Sequence, residues 1–73
     1  MKREQRIMVV LRGIRHYLEK LDKVMDDLVV SGYENQELVK KYNLNCDIIH
    51  SLYYILPEDI KTQIKELPRK IWG

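Results

Sequence analysis

The chain has one cysteine in 73 residues, Cys46, so no intrachain disulfide can hold it together. Its three glycines and two prolines stand only as punctuation, and no strand-like alternation runs between them. No apolar run approaches ~18 residues. Arg3, Arg6, Arg12 and Arg15 interrupt the N-terminal segment, which excludes a secretory signal as well as a membrane span. The expectation is a cytoplasmic chain without membrane contact. There is no glycine-rich phosphate loop and no nucleophile motif, and so small a core leaves little room for a cleft. Catalysis is not expected, and neither is a cofactor.

Apolar residues make up 45% of the sequence, enough to exclude wholesale disorder. One domain of this length has a small core, so stability must come from close helix packing or from oligomerisation. The net charge is +2, unevenly spread. Residues 1–15 sum to +4, 16–31 to −2, 32–56 to −1 and 57–73 to +1. Both ends are basic and the middle is not.

The dominant pattern is a seven-residue repeat. Ile7, Ile14, Leu21 and Leu28 form one row, with Val10, Tyr17 and Val24 three positions on, and Leu11, Leu18 and Met25 beside them. These are the a, d and e positions of a heptad, the wide stripe of a helix that packs on partners. The spacing predicts a helix over 4–30, with Gly13 off the stripe, a Glu19–Lys23 pair on the polar side and Gly32 as a left-handed C-cap. The rest of the chain is too short to cover such a stripe, so these ten residues are assigned to a homodimer interface. The competing reading makes the stripe the inner face of a monomeric bundle.

Three shorter helices are expected after it. The first runs from Gln36 to Tyr42, capped by Asn35, and Asn43-Leu44-Asn45 makes a turn. The next runs from Cys46 to Ile55, capped by Asn45. A fourth spans 57–67, opened by Pro57 with Glu58 and Asp59 in its first turn, and 68–73 is a tail in which Ile71 and Trp72 dock on the core. The fold class is therefore all-α: a small four-helix domain over 1–73 with a long N-terminal helix and a central helix-turn-helix.

The segment GYENQELVKKYNLNCDIIHSLYYIL, residues 32–56, resembles the helix-turn-helix of DNA-binding transcription regulators, in particular the response-regulator and sigma-factor-like forms. The residues that carry the resemblance are Gly32, Asn35-x-Glu37-Leu38-Val39, Tyr42-x-Leu44, Asn45 and Ile49. They cover about a third of the chain. Val39 stands where those families place Ala, and Asn43 where phage repressors prefer Gly. The resemblance implies that residues 46–55 read DNA, with Asn45, Cys46, Asp47, His50, Ser51 and Tyr54 outward and Lys40, Lys41, Arg12 and Arg15 on phosphates. Asp47 opposes that reading unless it accepts from cytosine or caps its own helix. Cys46 and His50 share the i,i+4 spacing of two metal ligands, but His16 is the one other histidine, so no metal is expected. Cys46 reads as a small half-exposed residue rather than a redox sensor.

Two functions remain on this reading. The first is a small dimeric DNA-binding regulator, such as a phage or mobile-element repressor, bound to double-stranded DNA. The second is a helical module that binds a host or regulatory protein, an inhibitor or anti-repressor.

Overall fold

The computed structural model describes residues 2–71. It is all-helical, with no strand among the described residues, and three helices where the sequence suggested four. Helix α1 (Arg3–Ser31) and helix α2 (Gln36–Ile55) pack antiparallel as a hairpin; α3 (Glu58–Lys61) is a single turn, followed by an irregular tail. The particle measures 44 × 18 × 15 Å, so its length is that of α1 alone, 29 residues at about 1.5 Å each.

Local chemistry sets the hairpin's turn. Gly32 adopts φ 70°, and the N–H of Tyr33 reaches back to the Leu28 carbonyl at 2.9 Å, closing α1 with the left-handed cap the sequence predicts. Tyr33 is also left-handed, at φ 65°, and its hydroxyl donates to Met25 Sδ at 3.4 Å. Asn35 then opens α2: its Oδ1 accepts from the N–H groups of Glu37 (3.1 Å) and Leu38 (3.3 Å).

Helix α2 does not break at Asn43-Leu44-Asn45, which overturns the expected turn and the separate helix from Cys46. Positive φ occurs among the described residues only at Gly32 and Tyr33, so nothing at 43–45 reverses the chain. The physical reason lies in the spacing. Leu38, Tyr42, Asn45, Ile49, Leu52 and Leu56 advance by alternating four and three residues, so one uninterrupted face runs through the supposed turn. The propensity cost of two mid-helix asparagines is at most about 0.7 kcal/mol each, and packing outweighs it.

The core lies between the two helices. Ile14, Leu21, Val24 and Leu28 of α1 meet Val39, Tyr42, Cys46 and Ile49 of α2 and Leu56 just beyond it; Leu28, Cys46 and Ile49 are wholly enclosed. Gly13 is not off the interface as expected. A Cβ there would lie 3.2 Å from Leu52 Cδ1, so the glycine sits where α2 comes close. Glu19 pairs with Arg15 (3.6 Å) rather than Lys23.

The expected fourth helix is reduced to one turn. Beyond it the tail runs antiparallel to α2: Pro68 meets His50, Lys70 meets Asp47 and Ile71 meets Asn43. Three extended residues, at roughly 3.3 Å each, cover the rise of seven helical ones at about 1.5 Å each. An extended tail therefore reaches anchors that a helix of the same residues would miss. Ile60 of α3 and Ile64, Leu67 and Ile71 of the tail pack on the core. Trp72, expected to dock with Ile71, lies outside the described residues.

Candidate functional site

The structure does not gather the residues that the helix-turn-helix resemblance marks for DNA. Asn45, expected outward as a cap, is buried on the face of α2 that packs on α1, and Cys46 is fully enclosed. Asp47 is ion-paired with Lys70 at 2.7 Å. His50 donates from Nε2 to the Pro68 carbonyl at 2.9 Å. Of the outward set, Ser51 and Tyr54 are exposed, and Tyr54 is engaged: Lys61 Nζ lies 5.4 Å from its ring centroid. The tail thus occupies much of the face assigned to the bases.

The basic residues are also apart. Gly13 lies beside Leu52, which puts exposed Arg12 and Arg15 level with the C-terminal half of α2. Lys40 and Lys41 stand twelve and eleven residues before Leu52 on α2, which sets them roughly 13–20 Å from the two arginines along the axis at about 1.5 Å per residue. Asp22, Asp26, Asp27, Glu34 and Glu37 cluster around the hairpin turn at that same end.

The stripe assigned to dimerisation divides. Ile14, Leu21, Val24 and Leu28 are buried within the chain's own core, and Ile7, Val10 and Tyr17 are partly buried beside them. Helix α2 therefore fills the a and d rows inside one chain. The e row lies to the flank: Leu11 and Met25 are partly covered and Leu18 is exposed.

Cys46 is not half-exposed. Burial raises its thiol pKa and the neighbouring Asp47 carboxylate adds to this, while Lys70 opposes. The neutral thiol is thereby favoured over the reactive thiolate. No group of three metal-binding side chains occurs among the described residues, and Cys46 and His50 are occupied by core and tail. The Tyr42 phenol is also raised, by burial first and then by Cys46, Asp22 and Tyr33. No helix is long and apolar enough to cross a membrane among the described residues.

Sequence reasoning missed a groove between the start of α1 and the end of α2. It is lined by Arg3, Arg6, Ile7, Val10, Ile55, Leu56 and Pro57. Arg3 holds Asp59 across one end at 3.1 and 3.3 Å. Ile55 is 67% exposed on its wall, and Leu44, on the same side of α2, is 60% exposed, with half-buried Ile48 between them. On α1 the side bearing Arg6 continues through Gly13, which has no side chain, to Lys20; Lys41 continues the α2 side. The result is an apolar strip about 16 Å long, from Leu44 to Ile55 at 1.5 Å per residue, edged by Arg6, Lys20 and Lys41. The signal in the sequence is the spacing of Leu44, Ile48 and Ile55, which an expected turn at 43–45 splits between two elements.

No protein-family model matches this sequence, no curated protein matches it significantly, and no solved structure matches its fold significantly.

Proposed function

We propose that this chain is a helical-hairpin interaction module that binds another protein, and that its contact is the groove between α1 and α2. The observation that carries the reading is exposed Ile55 beside the Ile7–Val10 floor, with exposed Leu44 about 16 Å further along the same side of α2 and Arg6, Lys20 and Lys41 along the edges. Large apolar side chains in a row with a charged rim mark a surface for a partner. A strip of this length suits the apolar face of one short helix, laid in a groove with anchors at i, i+3/i+4 and i+7. The basic edges select a partner helix that is acidic on its outer face.

The alternative, DNA binding through Lys40, Lys41, Arg12 and Arg15, would rest on cations at separate stations of the rod beside an acidic turn. Phosphate neutralisation is the main source of such affinity, and it weakens steeply with salt.

The test is a titration of the isotope-labelled chain, followed by amide chemical shifts. One probe is a synthetic helix with leucines at i, i+3, i+4 and i+7 and glutamates opposite; the other is random duplex DNA. Shifts confined to Gly13, Ile48, Ile55 and their neighbours with the peptide, lost in Ile55→Glu, support the module. Absence of peptide shifts at millimolar concentration would sink it. Salt-sensitive DNA binding removed by Lys40→Glu with Lys41→Glu would replace it with the regulator.

A further inference from the structure

The flank of α1 away from the groove carries a second row. Met8, Leu11, Arg15, Leu18, Asp22, Met25 and Val29 advance by alternating three and four residues, the spacing of one straight line on a helix in a two-helix contact. The hairpin's own core covers this line only in part, at Leu11 and Met25. Met8 is 52% exposed, Leu18 39% and Val29 59%, while Arg15 and Asp22 are exposed. Arg15 meets Glu19 in a solvated pair at 3.6 Å, and no ion pair holds Asp22 among the described residues.

The line is nearly symmetric about Leu18 when its direction is reversed. Met8 and Val29 lie at almost equal distances from Leu18, and Leu11 and Met25 at equal ones. The charged pair nearest to Leu18 on either side, Arg15 and Asp22, has opposite signs. A two-fold axis through Leu18 therefore lays apolar residue against apolar residue and, twice, an arginine against an aspartate. The parallel alternative sets Arg15 beside the partner's Arg15 and Asp22 beside the partner's Asp22, which is repulsive. A self-complementary patch of this kind is what a two-fold dimer requires.

We propose that two copies of this chain pair antiparallel through the Met8–Val29 line of α1, with Arg15 of each against the partner's Asp22, to make a four-helix assembly. This uses the e row of the repeat, with Met8 and Val29, in place of the a and d rows that α2 fills. It is independent of the groove, which lies on the other flank.

Sedimentation equilibrium of the full chain at ~100 μM tests it. The expected mass is twice the chain's 8.8 kDa, returning to 8.8 kDa in Leu18→Glu with helix content by circular dichroism unchanged. Arg15→Glu alone or Asp22→Arg alone should weaken pairing about tenfold, since each trades two attractions for two repulsions. The double swap should restore it to within about threefold by the same logic. Met8→Cys with Val29→Cys should oxidise to a covalent dimer under diamide, while Val29→Cys alone should not, and the enclosed Cys46 stays out of the reaction. A monomer at ~100 μM overturns the proposal. So does a dimer that survives Leu18→Glu, a double swap that fails to restore pairing, or cross-linking by Val29→Cys alone.

Discussion

Asn43 holds the backbone of Ile71 in both directions: its Nδ2 donates to the Ile71 carbonyl at 2.8 Å, and the Ile71 N–H donates to its Oδ1 at 2.7 Å. Such a paired bond mimics one rung of a sheet with a side chain as the partner strand. It ties residue 71 to the middle of a helix 28 positions earlier and fixes where the tail lies on α2.

Asn43→Leu removes both bonds and leaves two backbone groups to find water. The cost should be about 1–3 kcal/mol, felt first by the tail. Hydrogen exchange is the measurement: the Ile71 amide, which Asn43 holds, should lose protection while those of α1 keep theirs. Equal loss along the whole chain would mean that tail and hairpin unfold as one unit.

Gly13 marks a second long-range constraint. Alanine would gain about 1 kcal/mol of helix propensity, but its Cβ would sit 3.2 Å from Leu52 Cδ1, so that methyl must yield by a few tenths of an ångström. Gly13→Ala should therefore fall within about 1 kcal/mol of the parent on denaturant unfolding. Gly13→Val adds bulk that Leu52 cannot clear and should cost about 1–3 kcal/mol. A neutral valine variant would show that the helices are free to part there.

What could be read from sequence was what local chemistry decides. The seven-residue repeat gave α1 almost to its ends, and Gly32 and Asn35 marked the turn because a left-handed cap and a side-chain acceptor each need particular residue types. The errors arose where a residue's partner is distant. Asn43 and Asn45 looked like punctuation because their partners, the tail and the core, are not neighbours in sequence. Ile60, Ile64, Leu67 and Ile71 keep a near-helical spacing, yet beyond α3 the backbone is held by His50 at Pro68 and by Asn43 at Ile71. The groove joins residues some fifty positions apart, so no window along the chain contains it.

Cys46 should make the protein sensitive to alkali. A cysteine thiol ordinarily titrates near 9.0, and here burial, reinforced by Asp47, moves it up. The folded state thus favours the protonated form. The associated stability is whole below the unfolded thiol's value and is lost as pH rises through it toward the folded value. Tyr42, raised from 10.0, acts in the same direction slightly higher. Denaturant midpoints should hold steady up to about pH 8 and fall by pH 10, and the fall should be smaller in Cys46→Ala. Below pH 8 a thiol reagent should react at the rate of unfolding. Fast labelling of the native chain would contradict the enclosure of the sulfur.

Asn45 puts an amide on the face of α2 that packs against α1, 6% exposed, between Tyr42 and Ile49 on a row otherwise apolar. Burying an amide costs more than burying a leucine of similar length, while one polar residue in a helix seam penalises the wrong register and partner number. Asn45→Leu should therefore raise stability, by about 1 kcal/mol or more, seen as a higher denaturant midpoint. It should also blur specificity, because the row from Leu38 through Tyr42, Ile49 and Leu52 to Leu56 would then be apolar without a break and no longer favour one alignment against α1. Sedimentation should show species larger than those of the parent at equal concentration, and amide spectra should broaden. A variant that gains stability and keeps one sharp set of resonances would assign the register to Gly13 and the hairpin turn instead.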